Sequence, residues 1–212
     1  MLFLFTGFLQ AQDFKQLMKE MRKEYEQSRA LQVVMEIKVY DSAQLSLPYY
    51  QQTVDVRRDG NNYWYQVEEN EMLLNEKYLV MVDKQSRQIS YSNRSLQAEK
   101  ELQKNFQFNL DSLLTQYETP RYLGKAGDAE HYLVKEKGPI EEIHFHIIPQ
   151  GHILKKIEYK YREGQYVSIV FLMFDRHPLF KADTFSETRY VVKVNNKMVP
   201  SRFFKQYEIH YQ

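Results

Sequence analysis

Residues 54–67 read VDVRRDGNNYWYQV. Val54 and Val56 alternate with Asp55 and Arg57, and Tyr63, Tyr65 and Val67 alternate with Trp64 and Gln66. Side chains two apart on a strand share a face. Between these arms lies Asp59-Gly60-Asn61-Asn62, and glycine and asparagine are the residues that tolerate the left-handed backbone of a tight hairpin turn. The stretch therefore predicts a β-hairpin. Val54, Val56 and Arg58 share one face of its first strand, and Tyr63 and Tyr65 share one on the return strand. Trp64, the only tryptophan in the chain, falls on the opposite face of that strand, with Asn62 and Gln66. A hairpin that only closes a sheet has no need of two arginines, a tryptophan and two tyrosines together. A hairpin at the mouth of an apolar cavity does.

The period of two extends outward from this hairpin. Val33, Met35, Ile37 and Val39 predict a strand before it, and residues 50–58 form its first arm. Downstream, residues 72–74, 77–82 and 87–92 predict three more strands, with turns at Asn75-Glu76 and at 83–86. Upstream, Phe14, Leu17, Met18, Met21 and Tyr25 recur at helical spacing behind a candidate cap, Asp13. Helical periodicity returns in Leu96, Leu102 and Phe106, and again in Leu110, Leu113, Leu114 and Tyr117, before Pro120 ends it. Strands follow at about 121–125, 131–136, 141–148, 152–161 and 166–174. A last hairpin is expected from 189–194 to about 203–211, turning at Asn195-Asn196-Lys197. Short consecutive strands with tight turns imply antiparallel order. The expected fold is α+β: an unclosed antiparallel β-barrel of about 11–13 strands, its concave face covered by the N-terminal helix and two short mid-chain helices.

The 212 residues carry 29 Lys+Arg against 28 Asp+Glu, and no long basic run, which argues against a nucleic-acid partner. There is no cysteine, which excludes disulfides, thiolate metal sites, a cysteine nucleophile and lipidation of an N-terminal cysteine. The opening MLFLFTGFLQAQDF is apolar from Leu2 to Leu9 except at Thr6 and Gly7, with Ala11 as a small residue for cleavage. Residues 1–12 read as the remnant of a secretory signal peptide, and 13–212 as one domain of a soluble, exported, periplasmic protein.

No nucleophile elbow, phosphate loop or HExxH motif is present, and the pairs Glu141-Glu142 and Glu68-Glu69 point to opposite faces of their strands. An enzyme is not expected. His144 and His146 share a strand face, so they are the weak alternative for a metal site, with His131 and His152 on flanking strands. Residues 166–174 are apolar on both faces, through Val167, Ile169, Val170, Phe171, Leu172, Met173 and Phe174. Such a strand is either covered twice or lines a cavity.

The order helix, meander, short helices, second meander resembles the LolA/LolB superfamily of periplasmic lipoprotein carriers. In the carriers a strand of the type l-x-V-K-R-P-x-x-F-x-W follows the first helix and strand. Here Val56-Arg57-Arg58-Asp59-Gly60 and Trp64 occupy comparable places. The carriers' next hairpin, v-s-D-G-K-x-l-w-x-Y-d, is matched by 74–83, with Asn75-Glu76 in place of Asp-Gly, and Asp59 stands where the carriers keep a proline. The resemblance implies an apolar cavity under a helical lid, and it puts Arg58 where the carriers keep a gating arginine. It implies acyl chains or lipoproteins as ligands and transient contact with membrane-bound lipoprotein donors or acceptors. The expected protein is a monomer without a cofactor. Its cavity and lid residues would be Phe14, Leu17, Met18, Met21, Val54, Val56, Arg58 and Trp64. The alternatives are a LolA-fold interaction or sensor module of the cell envelope with no transported ligand, and a histidine-metal enzyme.

Overall fold

The computed structural model describes residues 6–44, 46–96, 120–135 and 138–212, with side chains from Phe14 onward. The two mid-chain helices expected around residues 96–106 and 110–117 lie almost wholly outside the described residues. Helix α1 runs Thr6–Gln27. Asp13 therefore lies inside the helix rather than capping it, and the helix passes through most of the positions read as a leader. The strands follow as β1 Ala30–Tyr40, β2 Tyr50–Asp59, β3 Asn62–Val67, β4 Asn70–Leu74, β5 Tyr78–Asp83 and β6 Gln88–Asn93. After residue 120 come β7 Arg121–Ala126, β8 Ala129–Lys135, β9 Ile140–Ile148, β10 Ile153–Tyr161 and β11 Tyr166–Asp175. The chain ends with a 3-10 turn at Glu187–Arg189, β12 Val191–Val194, β13 Lys197–Pro200 and β14 Glu208–Tyr211.

Twelve strands form one sheet in the order β14-β6-β5-β4-β3-β2-β1-β11-β10-β9-β8-β7. Its end strands, β14 and β7, are not paired with each other, so the sheet is not closed into a barrel. The two meanders expected from the alternating runs are both present. At the 54–67 hairpin, Gly60 and Asn61 make a two-residue turn with Gly60 at φ +56°, the first-position glycine that matches strand twist.

The C-terminal hairpin differs from expectation. β12 pairs with β13, Val191 opposite Pro200 and Val194 opposite Lys197, in a separate two-stranded sheet. Residues 203–211 are not its partner. Asn195 and Asn196 both have positive φ, +49° and +61°, and that mirror-image turn returns the chain onto its immediate neighbour. β14 instead pairs with β6, in parallel, Glu208 opposite Gln88 and Tyr211 opposite Tyr91. The main sheet is thus antiparallel up to one parallel edge strand.

The chain divides into two compact units, each with its own core. Unit one holds α1, residues 34–53 and β7–β11. Its core sets Phe14, Leu17, Met18 and Met21 of α1 against Tyr132 and Val134 of β8, Ile143, Phe145 and Ile147 of β9, and Leu154 and Ile157 of β10. Phe14 meets Tyr132 at 4.9 Å and Phe145 at 5.4 Å between ring centroids. The polar side of α1 carries Gln16–Glu20 and Arg22–Glu26 contacts, both at 2.7 Å and four residues apart, where helix neighbours meet. Unit two holds residues 29–33, the end of β2, β3–β6 and β12–β14. Its core joins Trp64, Leu73, Val80, Val82 and Ile89 to Tyr190 and Val191.

Candidate functional site

Register separates the two faces of the unit-two sheet. Arg57 is opposite Trp64, Trp64 opposite Leu73, and Leu73 opposite Val80, so these side chains share one face with Glu71, Val82 and Ile89. Val56 is opposite Tyr65, Arg58 opposite Tyr63, and Tyr63 opposite Leu74, so these share the other. Gln32 donates to Asp55 at 3.3 Å, which puts Gln32 on the Trp64 face and Leu31 and Val33 with Val54 and Val56. The unit-two core lies wholly on the Trp64 face. The second face is also apolar: Leu31, Val33, Val54, Val56 and Leu74 are buried, while Met81, on the same face, is 37% exposed.

Trp64 does not belong with Val54 and Val56. Its indole N–H lies 2.8 Å from Tyr190 Oη and 3.3 Å from Glu71 Oε2. Lys84 Nζ reaches Glu71 Oε1 at 2.7 Å. Burial by itself would raise the Glu71 carboxyl, but Lys84 and Tyr190, helped by Arg189, outweigh it and hold Glu71 below the usual carboxylate range. Burial first, then the neighbouring Glu71 carboxylate, push the Tyr190 hydroxyl up. Arg57 covers the indole, its Cζ 4.4 Å from the ring centroid, and is itself gripped by Asp55 at 2.6 Å. One arginine and the tryptophan of the hairpin thus build a buried polar clamp on the C-terminal segment. The network holds Trp64 on the face opposite Val54 and Val56.

The other expected positions separate by unit. Phe14, Leu17, Met18 and Met21 are core residues of unit one. Val54, Val56 and Arg58 lie on the second face of unit two, with Arg58 half-buried next to the turn. Burial raises the Tyr65 hydroxyl, one residue pair along that face.

Of the histidines, His131, His144 and His146 come together on the face of unit one opposite α1. His131 Nε2 lies 2.9 Å from His144 Nδ1, and the His131 and His146 rings stack at 4.3 Å. His146 Nε2 is 2.7 Å from Glu158 Oε2, and Tyr166 also donates to Glu158. Burial, then the neighbouring His146 and His144, lower the His131 pKa. Burial would raise Glu158, but His146, Lys156 and Tyr166 hold it far below the usual range. His152 lies elsewhere, between Glu24 at 2.6 Å and Glu20 at 3.0 Å on α1. Among the described residues no group of three or more such side chains is arranged to hold a metal ion. The nitrogens face each other and a carboxylate rather than a common point. In β11, Phe171 packs on the unit-one core, whereas Leu172 and Met173 are exposed.

At one end of the unit-two sheet the chain forms a polar cleft of about 460 Å³. Arg29, Asp59, Gly60, Asn62, Glu76 and Arg94 line it. No single stretch of sequence reveals it, because its residues come from four separate turns or strand ends. Among the described residues no helix is long and apolar enough to cross a membrane.

No protein-family model matches the chain, and no curated protein does. Solved structures do. An uncharacterized conserved protein from Thermus thermophilus is similar at TM-score 0.51 and 10% identity, over 94% of this chain and 99% of that one. The Mycobacterium tuberculosis lipoprotein LppX is similar at TM-score 0.45 and 11% identity, over 77% and 95%. A LolA superfamily protein from Nitrosomonas europaea is similar at TM-score 0.32 and 11% identity, over 80% and 97%. The Thermus match shows a shared fold along nearly the whole of both chains; the other two are more distant and do not bear on what this chain binds. The helix and two meanders stand in the order that the sequence resemblance implied, and the chain takes an open-sheet fold that is not closed into a barrel.

Proposed function

We propose that the protein is a carrier-like lipid-binding protein of the cell envelope that holds an acyl chain, free or on a lipoprotein, against the second apolar face of the unit-two sheet. The observation that supports this is the asymmetry of that sheet. Both faces are apolar, yet the core built with Tyr190 and Val191 lies on one of them. An acyl chain laid along Leu31, Val33, Val54, Val56 and Leu74 and leaving near Met81 would be held by burial alone. Each CH₂ removed from water contributes about 0.8 kcal/mol, so a long chain binds without precise polar contacts. Arg58, at the turn end of this face, would hold the closed state and let go on release, since a guanidinium offers five fixed donors for carbonyls or an anionic group. The envelope address rests on reading the apolar run Leu2–Leu9 as a leader.

A second reading has one observation in its favour. Leu31, Val33, Val54, Val56 and Leu74 are all buried as they stand. A face already filled by the chain's own side chains would make this an interaction or sensor module that carries nothing. Mass spectrometry of the protein purified without detergent separates the two. Acyl-chain lipid at near-stoichiometric amounts, lost in Val56→Asp, is the expected result; lipid-free protein that also fails to take up added fatty acid would remove the carrier reading. In the loaded protein, Arg58→Leu should slow transfer to acceptor vesicles while stability changes by less than about 1 kcal/mol. Unaltered transfer would take Arg58 out of the mechanism.

A further inference from the structure

The polar cleft at the tip of the 54–67 hairpin has a composition that selects its ligand. Among the described residues, two of its side chains are cations, Arg29 and Arg94, and two are carboxylates, Asp59 and Glu76. An anion would meet two attractive and two repulsive charges there, and so would a cation. A ligand carrying both signs a few bonds apart satisfies all four. Its volume, about 460 Å³, is in the range of small-molecule sites.

The cleft is preorganised by backbone contacts. The Gly60 N–H donates to the Arg29 carbonyl at 2.9 Å, tying the chain before β1 to the hairpin tip. Arg94 Nη1 donates to the carbonyls of Asn61 at 3.1 Å and Asn75 at 3.0 Å, while its own N–H donates to the Lys77 carbonyl at 2.8 Å. Its guanidinium is therefore set in place between two turns. Buried Asn75 locks the β4–β5 turn that presents Glu76: its Oδ1 accepts from the Lys77 and Tyr78 N–H groups, both at 2.9 Å, and its Nδ2 donates to Glu187 at 2.7 Å. Arg29 and Asp59 pair at 3.3 Å with the arginine side chain 87% exposed. An exposed pair of this kind contributes little, so exchanging it for ligand contacts costs little.

We infer that this cleft binds the headgroup of a zwitterionic phosphodiester carrying a primary ammonium. A planar guanidinium meets two phosphate oxygens at once. The carboxylates of Glu76 and Asp59 accept hydrogen bonds from an ammonium N–H. Quaternary ammonium groups have no N–H to give and are recognised by aromatic cages, and among the described residues no aromatic side chain lines the cleft. The primary ammonium is therefore favoured over its trimethylated counterpart. Placement links the cleft to the proposed acyl face, and to that extent the inference rests on the carrier reading. Arg58, Tyr63 and Leu74 on that face lie at the same strand ends as Asp59, Asn62 and the Asn75 turn. Asp59 and Asn62 carry their side chains on the Trp64 face, so a headgroup seated in the cleft would lie across the hairpin tip and direct its acyl chains past Arg58 along Val56 and Val54.

The test uses the full chain and soluble headgroups with no acyl chain: glycerophosphoethanolamine, glycerophosphocholine and glycerol phosphate, followed by amide chemical shifts. Glycerophosphoethanolamine should shift the amides of Gly60, Asn61 and Asn62 and bind about tenfold more tightly than the other two, the worth of one charge-assisted hydrogen bond. Glu76→Gln, an exposed change that leaves the turn intact, should erase that preference while glycerol phosphate binding stays as it was or improves. Equal binding of all three, or shifts away from the cleft, would overturn the headgroup assignment. Acyl-chain binding by vesicle extraction is measured alongside. Chain binding without headgroup preference leaves the carrier reading standing and ends this inference; headgroup preference without chain binding does the reverse.

Discussion

Tyr190 Oη stands between the indole N–H of Trp64, at 2.8 Å, and the Glu71 carboxylate, at 2.5 Å. It accepts from the first and donates to the second. All three side chains are buried, so each depends on the others for hydrogen bonding. Tyr190→Phe keeps the ring against the core but withdraws the hydroxyl. The expected cost is about 1–3 kcal/mol, because buried Glu71 loses a donor and Trp64 an acceptor. The Glu71 carboxyl should also rise, since one of the groups holding it down is gone. Urea unfolding at neutral and mildly acidic pH measures both effects. A loss below about 0.5 kcal/mol, as at an ordinary surface site, would contradict the clamp. The neighbouring arginines show how far one strand position matters: Arg57 stacks on Trp64, and Arg58 faces the opposite way.

At the scale of elements, α1 is held to unit one by its apolar stripe and by a polar fastening at His152. His152, in the β9–β10 turn, has φ +49° and places both ring nitrogens against carboxylates of α1, Glu24 and Glu20. The two contacts bridge the turn to the helix. His152→Asn preserves a residue that tolerates the left-handed backbone and removes the bridge. It should destabilise by about 1 kcal/mol and speed amide exchange along α1 while β3–β6 stay protected. Exchange that rises equally in both units would mean that His152 does not fasten α1. The helix itself was readable from Phe14, Leu17, Met18 and Met21, because burial on one side imposes a period near 3.6. Its start was not, because Asp13 satisfies the composition of a cap without being one. The fastening was also out of reach, since Glu24 and His152 are 128 residues apart.

For the whole molecule, acid is the condition that reaches both units. Glu71 in unit two and Glu158 in unit one are each held below the ordinary glutamate value of about 4.3. A depressed carboxyl contributes stability that is present above the unfolded value and lost as pH falls through the folded one. His131 differs in chemistry but not in direction. Its folded pKa lies below the unfolded value of about 6.5, so the unfolded chain binds the extra proton first and stability falls as pH drops from there. Burial is the main cause; His146, His144 and Lys156 add to it, and Glu158 opposes it. The prediction is a decline in two stages, a shallow one beginning near pH 6.5 and a steeper one at pH values around 4 and below. His131→Gln should remove the first stage and leave the second. A first stage that survives in the variant would assign it to another group.

The same contrast divides what sequence alone determined from what required the tertiary structure. Every strand of both meanders, the glycine turn of the 54–67 hairpin and the amphipathic α1 were legible, because hydrogen-bonding period and turn backbone are properties of a few adjacent residues. The faces of Val54, Val56, Arg58 and Trp64 followed from alternation too, and so did the pairing of His144 with His146. Sequence did not tell which face each core would cover. Trp64 is claimed by Tyr190, 126 residues away, and the cleft draws on Arg29, the hairpin tip, Glu76 and Arg94. Nor did it place β14 in parallel beside β6 or send residues 203–207 onto the Trp64 core. Such choices are settled by the sum of many distant contacts competing for the same apolar surface, and no local window of sequence contains that sum.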